Sequence, residues 1–204
     1  MSSAPDFWEQ ARTELAARDR IMARLIPQFG DAHIMARGDA FRTLAQSVLS
    51  QQISAKAAEA TWLRLLEVCP ACSPEQILAT DPALLSACGL SKRKLEYLLD
   101  LAQRLPAMDR AGWQEMDDES VIAQLMQVRG IGRWTAEMFL IFNLQRPNVL
   151  PLDDAALIRS ISLNYFSGEP VSRSDAREVA ANWEPWRSVA VWYMWQSLEP
   201  LPIA

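Results

Sequence analysis

Two adjacent carboxylates, Asp153 and Asp154, are the residues in this chain whose type and position are best suited to chemistry. They follow Pro151-Leu152 and precede the apolar run 155–158, a pattern that predicts the start of a helix. An acid at a helix start can cap the helix, because its oxygen accepts a hydrogen bond from the exposed N–H groups of the first turn. Both acids cannot occupy one capping position, so the pair predicts one structural carboxylate and a second that is available for catalysis.

Upstream of the acids, the segment Val128-Arg129-Gly130-Ile131-Gly132 predicts a tight turn. Glycine adopts positive φ and lets another chain approach its backbone without a Cβ in the way. The helix predicted after Gly132 adds its own unpaired N–H groups, and together these donors can bind a phosphate oxygen. The turn therefore favours a phosphate clamp, while the alternative is that the glycines simply end a helix.

Trp134 and Met138 lie on one face of the helix predicted after the turn, because residues four positions apart are neighbours on a helix surface. A pair of this kind is usual in a hydrophobic core. A further set of tryptophans is predicted to be core or interface, since large aromatic side chains bury much area: Trp8, Trp62, Trp113, Trp183, Trp186 and Trp192.

Composition excludes several classes of protein. Hydrophobic residues make up 50% of the 204 positions, which excludes a disordered or fibrous chain. No run approaches the roughly 18 apolar residues that a membrane span needs, and the start of the sequence lacks the pattern of a signal peptide. We therefore expect a protein that does not bind membranes and lies in the cytoplasm, associated with the nucleoid if the source is bacterial. Cys69, Cys72 and Cys88, with His33 as the one histidine, predict ordinary thiols rather than a disulfide framework or a zinc site.

The net charge of −5 argues mildly against a nucleic-acid partner, because proteins that hold phosphates usually carry a basic surface. A local basic patch can nevertheless attract phosphates while acids elsewhere dominate the total. Lys92-Arg93-Lys94, together with Arg129 and Arg133, is the candidate patch. The alternative is a solvated helix start whose charges serve solubility.

Helical periodicity extends along the sequence, and no alternation of apolar and polar residues predicts a strand. We predict an all-α protein of about ten helices in two closely packed helical subdomains. Proline, glycine and capping residues set the predicted limits of the helices: 7–26, 40–49, 55–68, 74–79, 82–87, 91–105, 119–127, 132–143, 154–165, 173–182 and 186–198.

The motifs together resemble one known family. "VRGIGRWTAEMFLIF" followed by "LPLDDAALIR" is similar to the signature of the helix-hairpin-helix (HhH-GPD) DNA glycosylase superfamily: a hairpin, a Gly/Pro-rich loop and an aspartate. "AFRTLAQSVLSQQISAKAA", "CGLSKRKLEYLLDLA" and "WEPWRSVAVWYMW" resemble its alkylated-base branch, DNA-3-methyladenine glycosylase II and its eukaryotic relatives.

The resemblance spans residues 38–198 and implies the short form of the fold, without the N-terminal β domain of longer members. We expect a helical subdomain at 38–146 that contains the hairpin. Residues 1–37 and 147–204 would form the second subdomain, and the active-site cleft would lie between the two.

The resemblance also assigns roles by position. It makes Asp154 the catalytic aspartate and Asp153 its capping or hydrogen-bonding neighbour. Trp134 stands where strand-cleaving members carry a lysine nucleophile, which implies a monofunctional enzyme that leaves an abasic site.

Three further groups of residues match functional elements of the family. The pocket for the flipped base is matched by Trp134, Met138 and Trp195. The loop that fills the gap left by that base is matched by Gln51, Gln52 and Ile53. The hairpin that binds a DNA phosphate is matched by Arg129, Gly130, Ile131, Gly132 and Arg133.

The resemblance implies no cofactor. Iron-sulfur members carry four cysteines near the C-terminus, and this chain has none after Cys88, so no cluster is implied. A Na⁺ or K⁺ ion would be held at the hairpin, when DNA is bound, by the backbone carbonyls of Met126, Val128 and Ile131. The expected partner is double-stranded DNA containing alkylated bases, and we expect the enzyme to act as a monomer.

The predicted function is hydrolysis of the N-glycosidic bond of alkylated purines, 3-methyladenine first, with 7-methylguanine or related lesions, in base excision repair. Aromatic faces attract a cationic base, and a carboxylate stabilises the charge that develops on the sugar. One alternative is a glycosylase of the same superfamily that acts on uracil, mismatched or deaminated bases. The other is a non-catalytic helix-hairpin-helix module that binds DNA or a protein.

Overall fold

The computed structural model describes residues 4–108 and 112–198, and every structural statement below concerns those residues. They form helices joined by short loops, with no strand in the described ranges, so the predicted all-α class is confirmed. Residues 1–3 and 199–204 lie outside these ranges. They include both ends of the predicted second subdomain and the first residues of the segment considered above for a signal peptide. No helix in the described ranges has the length and apolar character needed to cross a membrane.

Twelve α-helices are described, and apart from the first predicted helix they lie close to their predicted limits. Short 3-10 helices occupy Ile26–Phe29, Leu105–Ala107 and Gly112–Gln114. The α-helices are α1 Trp8–Arg18, α2 Arg20–Leu25, α3 Ala40–Ser50, α4 Ala55–Val68, α5 Pro74–Ala79, α6 Pro82–Ala87, α7 Lys92–Arg104, α8 Asp118–Leu125, α9 Arg133–Phe142, α10 Ala155–Tyr165, α11 Arg173–Ala181 and α12 Arg187–Gln196.

The chain divides into two compact units. The terminal unit comprises 1–36 and 140–204, and the central unit comprises 37–139. The second change of unit therefore falls inside α9, between Phe139 and Leu140, whereas the sequence analysis placed it after residue 146.

Aromatic side chains fill the core of the terminal unit. Trp8 of α1 packs edge-on against Trp192 of α12, with ring centroids 5.4 Å apart, and lies 5.9 Å from the ring of Tyr193.

Of the tryptophans predicted to be core, Trp62 alone is half-buried, and the others are buried: Trp8, Trp113, Trp183, Trp186 and Trp192.

The predicted single helix 7–26 is wrong, because the chain leaves helical geometry at Asp19. This residue has φ −132° and ψ 115°, and its carboxylate accepts hydrogen bonds from the N–H groups of Ile21 and Met22 at 2.7 and 3.2 Å. It therefore ends α1 and caps α2. The apolar period continues across the break, so periodicity alone could not locate it.

The same carboxylate connects distant parts of the terminal unit. Its second oxygen accepts from the Tyr165 hydroxyl at 2.6 Å and from Trp183 Nε1 at 3.2 Å. Asp19 is itself buried, and burial together with the Asp19 hydrogen bond raises the pKa of Tyr165. Because Tyr165 is the last residue of α10, Asp19 ties the end of that helix to the start of α2.

The central unit is built around α3, α4 and α7, with α7 packed against α3 and α5. Cys69, Cys72 and Cys88 are buried in this unit and form no disulfide with one another. Burial raises the pKa of the Cys72 thiol to about 11, which keeps it protonated at neutral pH. The three side chains therefore behave as packing groups.

Replacing Asp19 with alanine is expected to destabilise the protein well beyond the loss of a helix cap. The cap accounts for about 1 kcal/mol, and removing the acceptor shared by Tyr165 and Trp183 adds about 1–3 kcal/mol. Urea unfolding followed by circular dichroism measures the change in the free energy of unfolding. Asp81→Ala is the matched control, because Asp81 is an exposed cap that accepts one hydrogen bond, from the Ala83 N–H. Equal losses in the two variants would contradict the assigned network.

Candidate active site

Asp154 lies at the start of α10 and is buried, with 8% of its surface exposed. Its Oδ1 accepts hydrogen bonds from the Leu157 N–H at 2.6 Å and from Trp195 Nε1 at 2.9 Å. The helix N-terminus and the indole N–H both stabilise the ionised carboxylate, because each places positive charge beside it. The two hydrogen bonds therefore hold this carboxyl oxygen between the start of α10 and α12.

The prediction that Asp153 caps this helix is wrong, because α10 begins one residue later than predicted and Asp154 is itself the N-cap. Asp153 instead has a half-exposed side chain whose Oδ1 forms an ion pair with Arg173 at 2.5 Å. One carboxylate, Asp154, thus combines the capping role with the position proposed for catalysis.

An aromatic pair lies beside the carboxylate within the terminal unit. Trp195 is half-buried on α12, and its ring stacks on that of Phe142 with centroids 5.8 Å apart and planes inclined by 14°. Phe142, the last residue of α9, is a site residue that the sequence analysis missed. The signal for it was present, because Phe142 follows Met138 by four positions and so continues the face that Trp134 and Met138 define.

Trp134 and Met138 belong to the central unit and differ in exposure. Met138 is buried, as expected for a core side chain, whereas Trp134 is 45% exposed at the start of α9. A large aromatic side chain left this exposed is accessible to a ligand.

The predicted hairpin is formed by α8, a turn and α9, and the turn depends on Gly130. This residue has φ +84°, and a Cβ there would lie 2.2 Å from Cδ2 of Tyr97 on α7. The Gly130 carbonyl accepts from Nε2 of Gln51 at 2.9 Å. The Arg129 N–H donates to Oδ2 of Asp100 at 2.8 Å. The turn is therefore packed on α7 and hydrogen-bonded to the loop after α3.

The three residues of the loop predicted to fill the gap left by the flipped base have different environments. Gln51 is half-buried and directed to the hairpin, whereas Gln52 and Ile53 are exposed. Gln52 adopts φ +57°, an uncommon backbone conformation for a residue with a side chain, and its Oε1 accepts from Arg93 at 3.0 Å. Gln52 and Ile53 are thus the side chains that this loop presents to solvent.

Much of the predicted basic patch makes contacts within the central unit. Lys94 Nζ donates to the Leu49 carbonyl at 2.6 Å, near the end of α3. Arg133 forms ion pairs with Glu119 and Glu137, and the hydrogen bond with Glu119 raises the pKa of Arg133. These cations position loops and helices, and their charge is partly neutralised by neighbouring acids.

Residues 45–187 match the sequence model of one family, the HhH-GPD superfamily of base excision DNA repair proteins. The chain belongs to this superfamily. DNA-3-methyladenine glycosylase 1 of Schizosaccharomyces pombe is 29% identical to it, with 92% of this chain and 86% of the relative covered. The superfamily assignment and its 3-methyladenine-glycosylase resemblance, both predicted from the sequence, are confirmed.

Two solved structures of proteins named as 3-methyladenine glycosylases or glycosidases are also similar to this chain. A DNA-3-methyladenine glycosidase from Bacillus halodurans superposes with a TM-score of 0.84 at 29% identity, covering 92% of this chain and 88% of that one. A 3-methyladenine DNA glycosylase from Schizosaccharomyces pombe, in complex with abasic DNA, superposes with a TM-score of 0.80 at 27% identity, covering 96% and 99%. The superfamily fold predicted from the sequence is therefore confirmed.

Gly130→Ala is expected to lower the free energy of unfolding by about 1–3 kcal/mol, because the added Cβ overlaps the Tyr97 ring at a position that already needs positive φ. For a chain of this size each kcal/mol corresponds to about 2–4 °C in Tm. Thermal denaturation measures the shift.

Gly132→Ala is the matched control for this substitution. A Cβ at Gly132 meets nothing within 4 Å, so we expect its free energy of unfolding to stay within about 0.5 kcal/mol of the parent. A Gly130→Ala protein as stable as the Gly132→Ala protein would contradict the close packing of the turn on α7.

Proposed function

We propose that this protein is a monofunctional DNA glycosylase of base excision repair that removes alkylated purines, with 3-methyladenine as the first substrate. The observation that carries the proposal is the buried carboxylate of Asp154, whose Oδ1 accepts hydrogen bonds from the Leu157 N–H and from Trp195, next to the stacked rings of Trp195 and Phe142. Membership of a base excision repair superfamily and similarity to proteins named 3-methyladenine glycosylases support it.

The aromatic pair suits a cationic leaving base. Alkylation at N3 or N7 gives a purine a positive charge and weakens its glycosidic bond, and each aromatic face attracts such a cation by roughly 0.5–2 kcal/mol. We assign this role to the stacked rings of Trp195 and Phe142 in the terminal unit. The alkylated base is cationic while it is bonded to the sugar and leaves with the bonding electron pair as a neutral purine, so the reaction needs no strong general acid.

Asp154 would stabilise the positive charge that builds on the sugar as the base leaves. Its carboxylate is already oriented by the Leu157 and Trp195 N–H groups, so little reorganisation is needed during the reaction. Glycoside hydrolases use carboxylates by the same electrostatic logic. A water molecule that adds to C1′ would complete hydrolysis and leave an abasic site.

The central unit would supply the DNA contacts. The hairpin turn Arg129–Arg133 would bind one backbone phosphate through its N–H groups and those of the first turn of α9. Gln52 and Ile53 would enter the stack where the base has been extruded. Gln51 would then support the hairpin through its bond to the Gly130 carbonyl and would not itself plug the gap.

We assign no cofactor to this reaction, and the described residues contain no group of three or more metal-binding His, Cys, Asp or Glu side chains. We also propose that the hairpin holds a Na⁺ or K⁺ ion when DNA is bound, through the carbonyls of Met126, Val128 and Ile131. The Ile131 N–H donates to the Val128 carbonyl, and a carbonyl oxygen keeps a second lone pair for a cation. We further propose that the protein acts as a monomer on double-stranded DNA in the cytoplasm, at the nucleoid if the source is bacterial.

Borohydride reduction during reaction with lesion-containing DNA is expected to trap no covalent adduct. Strand cleavage by a lysine nucleophile requires an amine that forms a Schiff base with the sugar, and no lysine follows Lys94 in this sequence. Denaturing gel electrophoresis of the reduced mixture gives the measurement. A protein–DNA adduct would overturn the monofunctional assignment.

Asp154→Asn is expected to reduce release of 3-methyladenine from methylated DNA at least about 100-fold, as loss of a single charge-stabilising group does in other enzymes. The amide oxygen can still accept the Leu157 and Trp195 hydrogen bonds, so the substitution removes the charge and keeps the cap. Liquid chromatography of released bases gives the rate, and binding to an abasic-site duplex is expected to remain.

Asp153→Asn is the matched control, because it removes the neighbouring charge and the ion pair with Arg173 only. We expect it to retain most of the activity. Unchanged release by Asp154→Asn would overturn the catalytic assignment. DNA binding without base release by the parent protein would favour the non-catalytic module instead.

A further inference from the structure

Asp100 of α7 is an acid held directly against the turn that is proposed to bind a DNA phosphate. Its Oδ2 accepts a hydrogen bond from the Arg129 N–H at 2.8 Å, and its Oδ1 accepts one from Arg104 Nε at 2.9 Å. Only 12% of the side chain is exposed. The proposed function assigns no role to this carboxylate, although a negative charge beside a phosphate site is expected to weaken DNA binding.

The Asp100 carboxylate is ionised at neutral pH. Burial raises its pKa, but the hydrogen bonds from Arg129 and Arg104 more than offset this effect and leave the pKa below its ordinary value. The ion pair with Arg104, one turn along the same helix, partly neutralises the charge. Asp100 is therefore a charged acceptor for the hairpin N–H, and such hydrogen bonds are stronger than those between neutral groups.

The hydrogen bond to Asp100 is one of three contacts that hold the turn. The Gly130 carbonyl, one residue further along, accepts from Gln51 Nε2 at 2.9 Å. The Cα of Gly130 lies against the Tyr97 ring, where an added Cβ would come within 2.2 Å of Cδ2. Tyr97 and Asp100 are three residues apart and so lie on one face of α7. One backbone N–H, one backbone carbonyl and one packing contact thus set the orientation of the turn relative to α7.

The orientation of the turn decides where its other donors point. The Ile131 N–H donates to the Val128 carbonyl at 3.1 Å, so this N–H and that of Arg129 already have acceptors. The first N–H groups of α9, which begins at Arg133, have no partner within the helix. These helix-start donors must face a phosphate as a set, because hydrogen bonds weaken steeply when donor and acceptor are misaligned. A rotation of the turn would misalign several of them at once.

We propose that Asp100 is a positioning residue for DNA binding. By holding the Arg129 N–H, it sets the orientation in which the hairpin presents the helix-start donors of α9 to a backbone phosphate. The gain from this alignment exceeds the repulsion between the carboxylate and the phosphate. The proposal rests on the proposed function in one respect, which is that the hairpin binds DNA.

The two effects of Asp100 on DNA binding have opposite signs, and two substitutions separate them. Asp100→Asn removes the charge and keeps an oxygen that accepts the Arg129 N–H, so Kd for an abasic-site duplex is expected to equal or fall below the parent value. Asp100→Leu has nearly the same shape but no acceptor. Its Kd is expected to be about fivefold above that of Asp100→Asn, which corresponds to one hydrogen bond. Fluorescence anisotropy at a fixed salt concentration measures both values.

Two matched variants control for charge and for the ion pair within α7. Glu96→Gln removes an exposed acid of the same helix and is expected to leave Kd at or below the parent value. Arg104→Gln breaks the ion pair and leaves the bond to the Arg129 N–H in place, so Kd is expected to rise by less than about twofold. Circular dichroism verifies folding, and Asp100→Ala replaces Asp100→Leu if the latter does not fold. Equal Kd values with and without the acceptor would overturn the proposal.

Amide hydrogen exchange reports the hairpin directly. Exchange of the Arg129 N–H is expected to be as slow in Asp100→Asn as in the parent and faster in Asp100→Leu, because exchange requires the hydrogen bond to open. Faster exchange confined to the turn and the start of α9 supports the positioning role. Equally faster exchange along the whole of α7 and α9 indicates a general loss of stability and overturns it.

Base release distinguishes failure of this inference from failure of the proposed function. If the parent releases 3-methyladenine and Asp100→Leu binds DNA as tightly as Asp100→Asn, the role of Asp100 alone is overturned. If Asp100→Leu binds more weakly as expected and the parent releases no alkylated base, the catalytic assignment is overturned and the role of Asp100 is supported. A parent protein that binds no duplex DNA overturns both.

Discussion

The pair of hydrogen bonds to Oδ1 of Asp154 is the interaction on which the candidate active site depends. The Leu157 N–H fixes the carboxylate to the start of α10, and the Trp195 indole fixes it to α12. Trp195 in turn stacks on Phe142 at the end of α9. Two helices thus contact the carboxylate directly, and the third is joined to it through the Trp195 ring, which the same hydrogen bond positions.

The opposite end of α10 is held by a second carboxylate. Tyr165, the last residue of the helix, donates to Asp19, which also caps α2 and accepts from Trp183. Buried acids are stable in a protein only when donors compensate them, and both of these acids use helix N–H groups together with aromatic donors. The helix that carries Asp154 is therefore restrained at both ends, which suits the role proposed for this carboxylate.

In the central unit, α7 organises the segments proposed to contact DNA. The Tyr97 ring lies so close to the hairpin that residue 130 has no room for a Cβ. Asp100 accepts a hydrogen bond from the Arg129 N–H. Burial raises the pKa of Asp100, but hydrogen bonds from Arg129 and Arg104 outweigh it and leave the pKa below its ordinary value. Arg93 contacts Gln52 in the loop after α3. One helix thus holds both the hairpin and the loop, which explains why basic residues near its start act as structural contacts.

The sequence by itself determined the helical class, most helix limits, the superfamily and the tight turn at Gly130. The helical class, the helix limits and the turn follow from local rules: a repeating apolar period, capping residues, and a turn that one glycine makes possible. The superfamily was inferred from the resemblance of the motifs to a known family. Tertiary structure alone decided which acid caps α10, and that the first predicted helix breaks at Asp19. It also decided that Phe142 stacks on Trp195. The Asp19 contacts and the Phe142–Trp195 stack depend on partners far away in the chain, and the local pattern of a sequence does not encode which distant donor or ring a side chain will meet. The cap of α10 is a local contact to Leu157, but two adjacent acids fit the same pattern, so the pattern alone does not choose between them.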